Sequence, residues 1–238
     1  MIVGLPLSKV VASSGLDRLG LQEVMVTKGD SELLPELENY IARDLSEGEI
    51  DEERQMLLER ISDFVVSKLA DDQPARLVFI CTHNSRRSQF CQFWAWLAAH
   101  HFAISTVETY SGGTETTAFN SKAVAALRRA GFDIEFFSDG KNPVYEVRFG
   151  PGTGPIQAFS KVYDAAPNPK DGFAAIMTCS SADAACPTVA GADQRIAIPY
   201  DDPKEADGTE QEAEIYDERC RQIAREMLYV FSSVAARS

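Results

Sequence analysis

The chain has 238 residues, 45% hydrophobic and 25% charged, which suffices for a buried core in one large domain or in one domain with an appendage. Its formal net charge of −13 excludes nucleic acid or an anionic membrane as the main partner, because both require clustered basic surface. No apolar run reaches the roughly 18–20 residues of a membrane span, the start Met1-Ile-Val-Gly-Leu-Pro-Leu-Ser-Lys9 lacks the pattern of a signal peptide, and five cysteines argue against a disulfide framework; the expected location is the cytoplasm.

Residues 1–29 show no clear period. Residues 31–45 place Leu33/Leu34, Leu37, Tyr40/Ile41 and Leu45 at helical spacing. Residues 51–69 do the same with Met56/Leu57, Ile61, Phe64/Val65 and Leu69, behind an acidic first turn Asp51-Glu52-Glu53 that suits a helix N-terminus. Asp71-Asp72-Gln73-Pro74 then punctuates the chain. Residues 1–74 are therefore read as an N-terminal extension of mainly two helices, which either pack on the remainder or form a homodimer contact. From residue 75 to 238 strands and helices alternate: strand 76–80, helix 86–99, strand 105–110, helix 120–130, strands 173–178 and 195–199, and a terminal helix 211–234. Such alternation predicts an α/β fold whose mostly parallel sheet is covered by helices on both faces. An insertion near 140–170 breaks the rhythm. There, an alternating run 144–149, a Gly/Pro-rich stretch 150–155 and a second run 157–163 predict a hairpin.

The chemistry concentrates at the ends of the predicted strands. Cys81 closes the first strand, and Arg87-Ser88 opens the next helix. A cysteine attacks as the thiolate, a form favoured at helix N-termini near cations. Between them Thr82, His83, Asn84, Ser85 and Arg86 can wrap backbone amides around a tetrahedral anion. Arg87 supplies a planar fork for two of its oxygens. Ser88 can donate to the thiolate, and Asn84 tolerates the positive φ that would hold the loop open. The plainer alternative is a core cysteine with Arg87 on a surface helix. Cys91, in a Phe/Trp-rich helix, reads as a small buried hydrophobe. Cys179 follows strand 173–178 and opens on the same sheet edge as Cys81. The small residues from there to Cys186 leave the segment free to remodel, as disulfide exchange requires. Two incidental cysteines are the alternative; half a zinc site fits poorly with six intervening residues and only three histidines in the chain. Tyr200-Asp-Asp-Pro203 follows the last strand on that edge. A carboxylic acid placed there could protonate a departing oxygen, or the motif simply turns the chain into its last helix.

The loop Cys81-Thr-His-Asn-Ser-Arg-Arg-Ser-Gln89 resembles the active-site loop of the low-molecular-weight protein tyrosine phosphatase superfamily. It is closest to the thioredoxin-coupled arsenate reductases, where Cys-Thr-Gly-Asn-Ser-Cys-Arg-Ser-Gln is typical. His83 stands where glycine is usual, and is expected to restrict the entrance or add a donor. Arg86 stands where cysteine is usual, and is expected to add positive charge beside the anion. The block from Cys179 to Cys186-Pro187 resembles the Cys-Ser-Asp-Ala-Asp-x-x-Cys-Pro segment of the same enzymes. Asp202 before Pro203 resembles the superfamily's Asp-Pro loop, and Ser111-Gly-Gly113 resembles its Ser-Ala-Gly turn.

The resemblance covers residues 76–234 and implies a twisted, mostly parallel four-stranded sheet. It implies catalytic roles for Cys81, Arg87, Ser88, Asp202, Cys179 and Cys186, with oxyanion binding by residues 82–88. The implied reaction is arsenate reduction through a Cys81–Cys179–Cys186 disulfide relay, with no bound cofactor and a thioredoxin-like protein as reductant. Gln92 stands where some of these enzymes carry a glutamate that helps bind potassium beside the loop, so no metal is expected. One rival is a phosphatase that hydrolyses phosphomonoesters through a phospho-cysteine, using Cys81, Arg87 and Asp202 alone. The other is a redox-regulated binding module centred on the N-terminal helices.

Overall fold

Strands that are apolar on both sides need a cover on both sides, and the runs 77–80 and Phe173–Met177 at the centre of the sheet are of this kind. The computed structural model describes residues 33–44, 48–186 and 188–238. Ala75–Cys81 (β1), Val107–Gly113 (β2), Phe173–Met177 (β6) and Ala192–Ala197 (β7) form a parallel four-stranded sheet in the order β2-β1-β6-β7. Along β1, Leu77 and Phe79 enter one core while Val78 and Ile80 enter the other. The larger core is closed by Glu52–Ala70 (α2), Arg87–His101 (α3) and Glu212–Ala235 (α6). The opposite face is covered in part by the short helix Ser180–Ala185 (α5). Because α3 lies between sheet and α6, it is buried nearly all round: Phe90, Phe93, Trp94 and Leu97 are fully enclosed.

Helix α2 is continuous with this core. Leu58, Ile61, Phe64 and Val65 are buried in it, and the Ser62 hydroxyl donates to the Val230 carbonyl of α6 at 3.1 Å. Asp51 caps the helix by accepting from the Arg54 N–H, as the acidic first turn suggests. Of the helix expected over 31–45, Pro35–Asp44 (α1) is helical; residues 31, 32 and 45 lie outside the described residues, as do residues 1–29.

The insertion is more ordered than a hairpin. Asp133–Ser138 (β3), Val144–Arg148 (β4) and Ile156–Ala158 (β5) make a three-stranded antiparallel sheet. β3 escaped the sequence reading because only Ile134 of its residues is buried, while Phe136 and Phe137 face outward. The second run pairs only over β5. Residues 159–163 instead leave that sheet and reach the end of β2, where Val162 bridges Gly113. Ser121–Ala130 (α4) precedes this sheet, capped by the Asn120 side chain at its start and by left-handed Gly131 at its end.

Candidate active site

β1 ends at Cys81, α3 starts at Arg87, and the residues between them turn their carbonyls outward. Cys81 C=O accepts from the Thr114 N–H (3.1 Å), Thr82 C=O from the Glu115 N–H (2.9 Å) and Ser85 C=O from the Asn120 N–H (3.0 Å). His83 C=O accepts from the Ser160 hydroxyl (2.7 Å), and Asn84 C=O from the Gln89 amide (3.1 Å). In a planar trans peptide the N–H points opposite to the C=O. Drawing each carbonyl outward therefore aims the following amides into the loop, which makes a nest for an anion. Asn84 has φ +48°, the conformation expected of it. Gly113 lets β2 run close beneath: a Cβ there would meet Glu115 O at 2.4 Å, Thr82 O at 2.7 Å and Asn84 N at 2.8 Å.

The nucleophile candidate has one ordered donor. Asn84 Nδ2 donates to Ser88 Oγ at 2.9 Å, and Asn84 Oδ1 accepts from the Lys161 N–H at 3.0 Å. Since Ser88 Oγ already accepts, its single proton is free to point at Cys81 Sγ, 3.1 Å away. Arg87 reaches across to the loop after β7. Its Nη1 donates to the Tyr200 carbonyl at 3.0 Å and its Nη2 to Asp202 Oδ2 at 2.6 Å. Arg87 Nε is buried and has no partner among the described residues. A buried N–H is costly to leave unpaired, so this donor is suited to an oxygen of a bound anion. The other oxygen of Asp202 accepts from the Lys204 N–H and caps the 3-10 turn Pro203–Ala206.

The two downstream cysteines sit beside this loop. β1 and β6 are neighbours in register, and Thr178 N–H donates to the Ile80 carbonyl at 2.7 Å, so Cys81 and Cys179 emerge side by side. Cys179 Sγ lies 3.5 Å from Thr82 Oγ1 and caps α5 by accepting from the Ala182 N–H. Cys186, at the other end of α5, packs on the apolar cluster that holds Cys81 and Cys179. All five cysteines are free. Burial pushes the Cys91 thiol well up and the Cys220 thiol to about 12, which leaves both protonated and unsuited to attack.

No protein-family model matches the chain. An arsenate reductase of Bacillus licheniformis is 31% identical over 157 residues, spanning 66% of this chain and 94% of that enzyme. The chain belongs to the arsenate reductase family. It is accordingly an enzyme. An arsenate reductase of Staphylococcus aureus is 40% identical over a shorter stretch of 58 residues, 24% of this chain and 41% of the enzyme. Among solved structures, a low-molecular-weight protein tyrosine phosphatase from T. tengcongensis aligns with a TM-score of 0.45 at 16% identity, covering 65% of this chain and 96% of that one. A thioredoxin-dependent arsenate reductase from Corynebacterium glutamicum aligns with a TM-score of 0.35 at 18% identity, covering 79% and 78%.

Within the family pattern, the unusual residues take positions of their own. Arg86 does not place its charge beside the anion, as its neighbourhood in sequence suggests. Its guanidinium is buried toward α6, where Nε donates to Tyr216 Oη at 2.7 Å and Nη2 lies 3.8 Å from Asp207. His83 turns outward, with Nε2 2.9 Å from Glu115 Oε1. It lines the rim of a cleft of about 480 Å³ shared with Phe119, Tyr145 and Lys204. Gln92 directs its amide nitrogen to the Thr109 carbonyl, and buried Lys161 borders the same small cleft. Ser160 and Lys161, which hold His83 and Asn84, escaped the sequence reading because nothing local ties an insertion residue to a loop 77 positions earlier.

Proposed function

We propose that the enzyme reduces arsenate to arsenite with Cys81 as nucleophile and Cys179 and Cys186 as successive resolving thiols. The observation that carries this reading is the placement of Cys179 against Thr82 of the oxyanion loop, with Cys186 on the same cluster. Arsenate docks on the loop amides of residues 82–88 and on Arg87. The Cys81 thiolate forms a bond to arsenic, and a hydroxide leaves as water with a proton from Asp202. Cys179 then attacks Cys81 Sγ. The sulfur–arsenic bond breaks, its electron pair stays on arsenic, and arsenite leaves a Cys81–Cys179 disulfide. Cys186 attacks Cys179 and frees Cys81. The resulting Cys179–Cys186 disulfide requires two electrons from a dithiol, for which a thioredoxin-like protein is the fitting partner.

The test is disulfide mapping by mass spectrometry after arsenate is added to fully reduced protein without reductant. The expected product is Cys179–Cys186 in the native chain and Cys81–Cys179 in Cys186→Ser. Undiminished arsenate turnover with thioredoxin in Cys186→Ser would overturn the relay. A second reading, phosphomonoester hydrolysis by Cys81, Arg87 and Asp202, is favoured by the 480 Å³ cleft beside the loop, which exceeds the needs of an inorganic oxyanion. Turnover of an aryl phosphate, undiminished in Cys179→Ser, would select it.

A further inference from the structure

Arg54 lies in the first turn of α2, in the part of the chain that the active-site motifs do not reach, yet its side chain ends beside the site. Nε and Nη2 fork onto Glu226 of α6 at 3.1 and 2.7 Å. An ion pair alone would need no more. The remaining arm, Nη1, donates to the Pro199 carbonyl at 3.2 Å, and the guanidinium lies over the Tyr200 ring with 4.5 Å to its centroid. Glu226 is almost fully buried, and accepts also from Tyr200 Oη at 2.6 Å and Gln222 Nε2 at 3.0 Å. Residues 199 and 200 are thus held by backbone, ring face and hydroxyl at once.

The consequence falls on Arg87. The Tyr200 carbonyl takes Nη1 of Arg87, and Asp202, two residues on, takes Nη2. Those two acceptors fix the plane of the guanidinium whose Nε remains for the anion. We propose that Arg54 is a positioning residue for the oxyanion site, acting through Pro199 and Tyr200 on the orientation of Arg87 and Asp202. The inference rests on the reading of residues 82–88 as an oxyanion loop. It assigns the helix α2 a task in catalysis beyond covering the core. A planar fork can serve a carboxylate and a carbonyl together and also stack; a lysine ammonium can keep the charge but not that geometry.

The probe is inorganic phosphate, read by its protection of Cys81 from iodoacetamide in the full chain, with the Cys81 peptide quantified by mass spectrometry. Arg54→Met/Glu226→Gln removes both charges and leaves Tyr200 an acceptor, so that no buried charge is stranded. Its thermal midpoint is expected to stay close to the native one. Its phosphate affinity is expected to fall roughly tenfold, the equivalent of one charge-assisted hydrogen bond. Arg54→Lys should fall between the two. Arg237→Met, which removes the contacts from the residues after α6 to Glu59 and Asp63 of α2, should leave phosphate affinity unchanged. Unchanged affinity in both Arg54 variants, or an equal loss in Arg237→Met, overturns the proposal. If phosphate fails to protect the native chain, the oxyanion reading itself falls, and this proposal with it.

Discussion

Ser88 and Lys161 hold the same loop by different means, and each makes a separable prediction. Ser88 Oγ accepts from Asn84 and so directs its proton to Cys81 Sγ. Removing a hydrogen bond to a charged group costs about 1.5–3 kcal/mol, or roughly 10–100-fold in rate. Ser88→Ala should therefore lower kcat by that factor in steady-state arsenate turnover with the fold unchanged by circular dichroism; an unaltered kcat would remove Ser88 from the site. Lys161 grips Asn84 through its backbone N–H, while its ammonium is buried over the Phe159 ring, 5.0 Å from the centroid. Burial lowers its pKa from 10.5 to about 8. Between those values the unfolded chain binds more protons than the folded one, so stability rises with pH across that window. The penalty is fully present below about 8 and is gone above 10.5. Lys161→Met should thus be more stable than the native chain at pH 7, by at most about 3 kcal/mol. The advantage should shrink toward pH 10.5; urea midpoints that differ equally at both pH values would contradict it.

At the scale of elements, α5 stands between the two cysteines proposed to resolve Cys81. Cys179 is its N-cap and Cys186 its C-cap. Seven helical steps separate their Cα atoms by about 10 Å, whereas a disulfide needs about 4.4–6.8 Å. The proposed second exchange therefore requires α5 to unwind. Six residues are too few for a helix to hold itself together. Arg195 supplies the missing support, with Nε on the Cys186 carbonyl at 2.9 Å and Nη2 on the carbonyl and carboxylate of Asp183. Arg195→Met should speed hydrogen exchange across residues 180–186 and raise the rate of Cys179–Cys186 formation after arsenate, with the Cys81–Cys179 step unchanged. A slower second step would show that Arg195 guides the opening instead of opposing it.

The sequence foretold the positions that local chemistry dictates. The loop from Cys81 to Ser88 was legible because a strand end, a helix start and an arginine must follow one another closely to hold an anion. Cys179 and Asp202 were legible because parallel strands end on one edge. Arg86 was misjudged because its direction depends on Tyr216 and Asp207, more than 100 residues away. β2 was read too short, since its glycines read as a turn; the ladder to β1 carries it on to Gly113, opposite Cys81. Contacts that cross the chain in space, such as Arg54 to Pro199, leave no trace in periodicity.

For the molecule as a whole, the question is whether residues before 75 can be removed. The active-site motifs begin at Cys81, which would suggest that they can. The core argues otherwise. Leu58, Ile61, Phe64 and Val65 of α2 are buried against the rest of the chain, all but Phe64 with no exposed surface at all. Each fully buried side chain of this kind contributes about 1.5–3 kcal/mol, so the four together contribute about 6–12 kcal/mol. That matches the whole net stability of an ordinary domain, about 5–15 kcal/mol. Removal would also strand the buried carboxylate of Glu226 without Arg54, and leave the apolar faces of α6 and β7 in water. A chain starting at Ala75 is therefore expected to be insoluble or to bind a hydrophobic dye strongly, and to lack both arsenate turnover and phosphate protection of Cys81. Glu226→Gln in the truncated chain would relieve the stranded charge but not the exposed core, and should not restore folding. A soluble, cooperatively melting truncation with native turnover would show instead that α2 is an appendage and that the catalytic unit closes its own core.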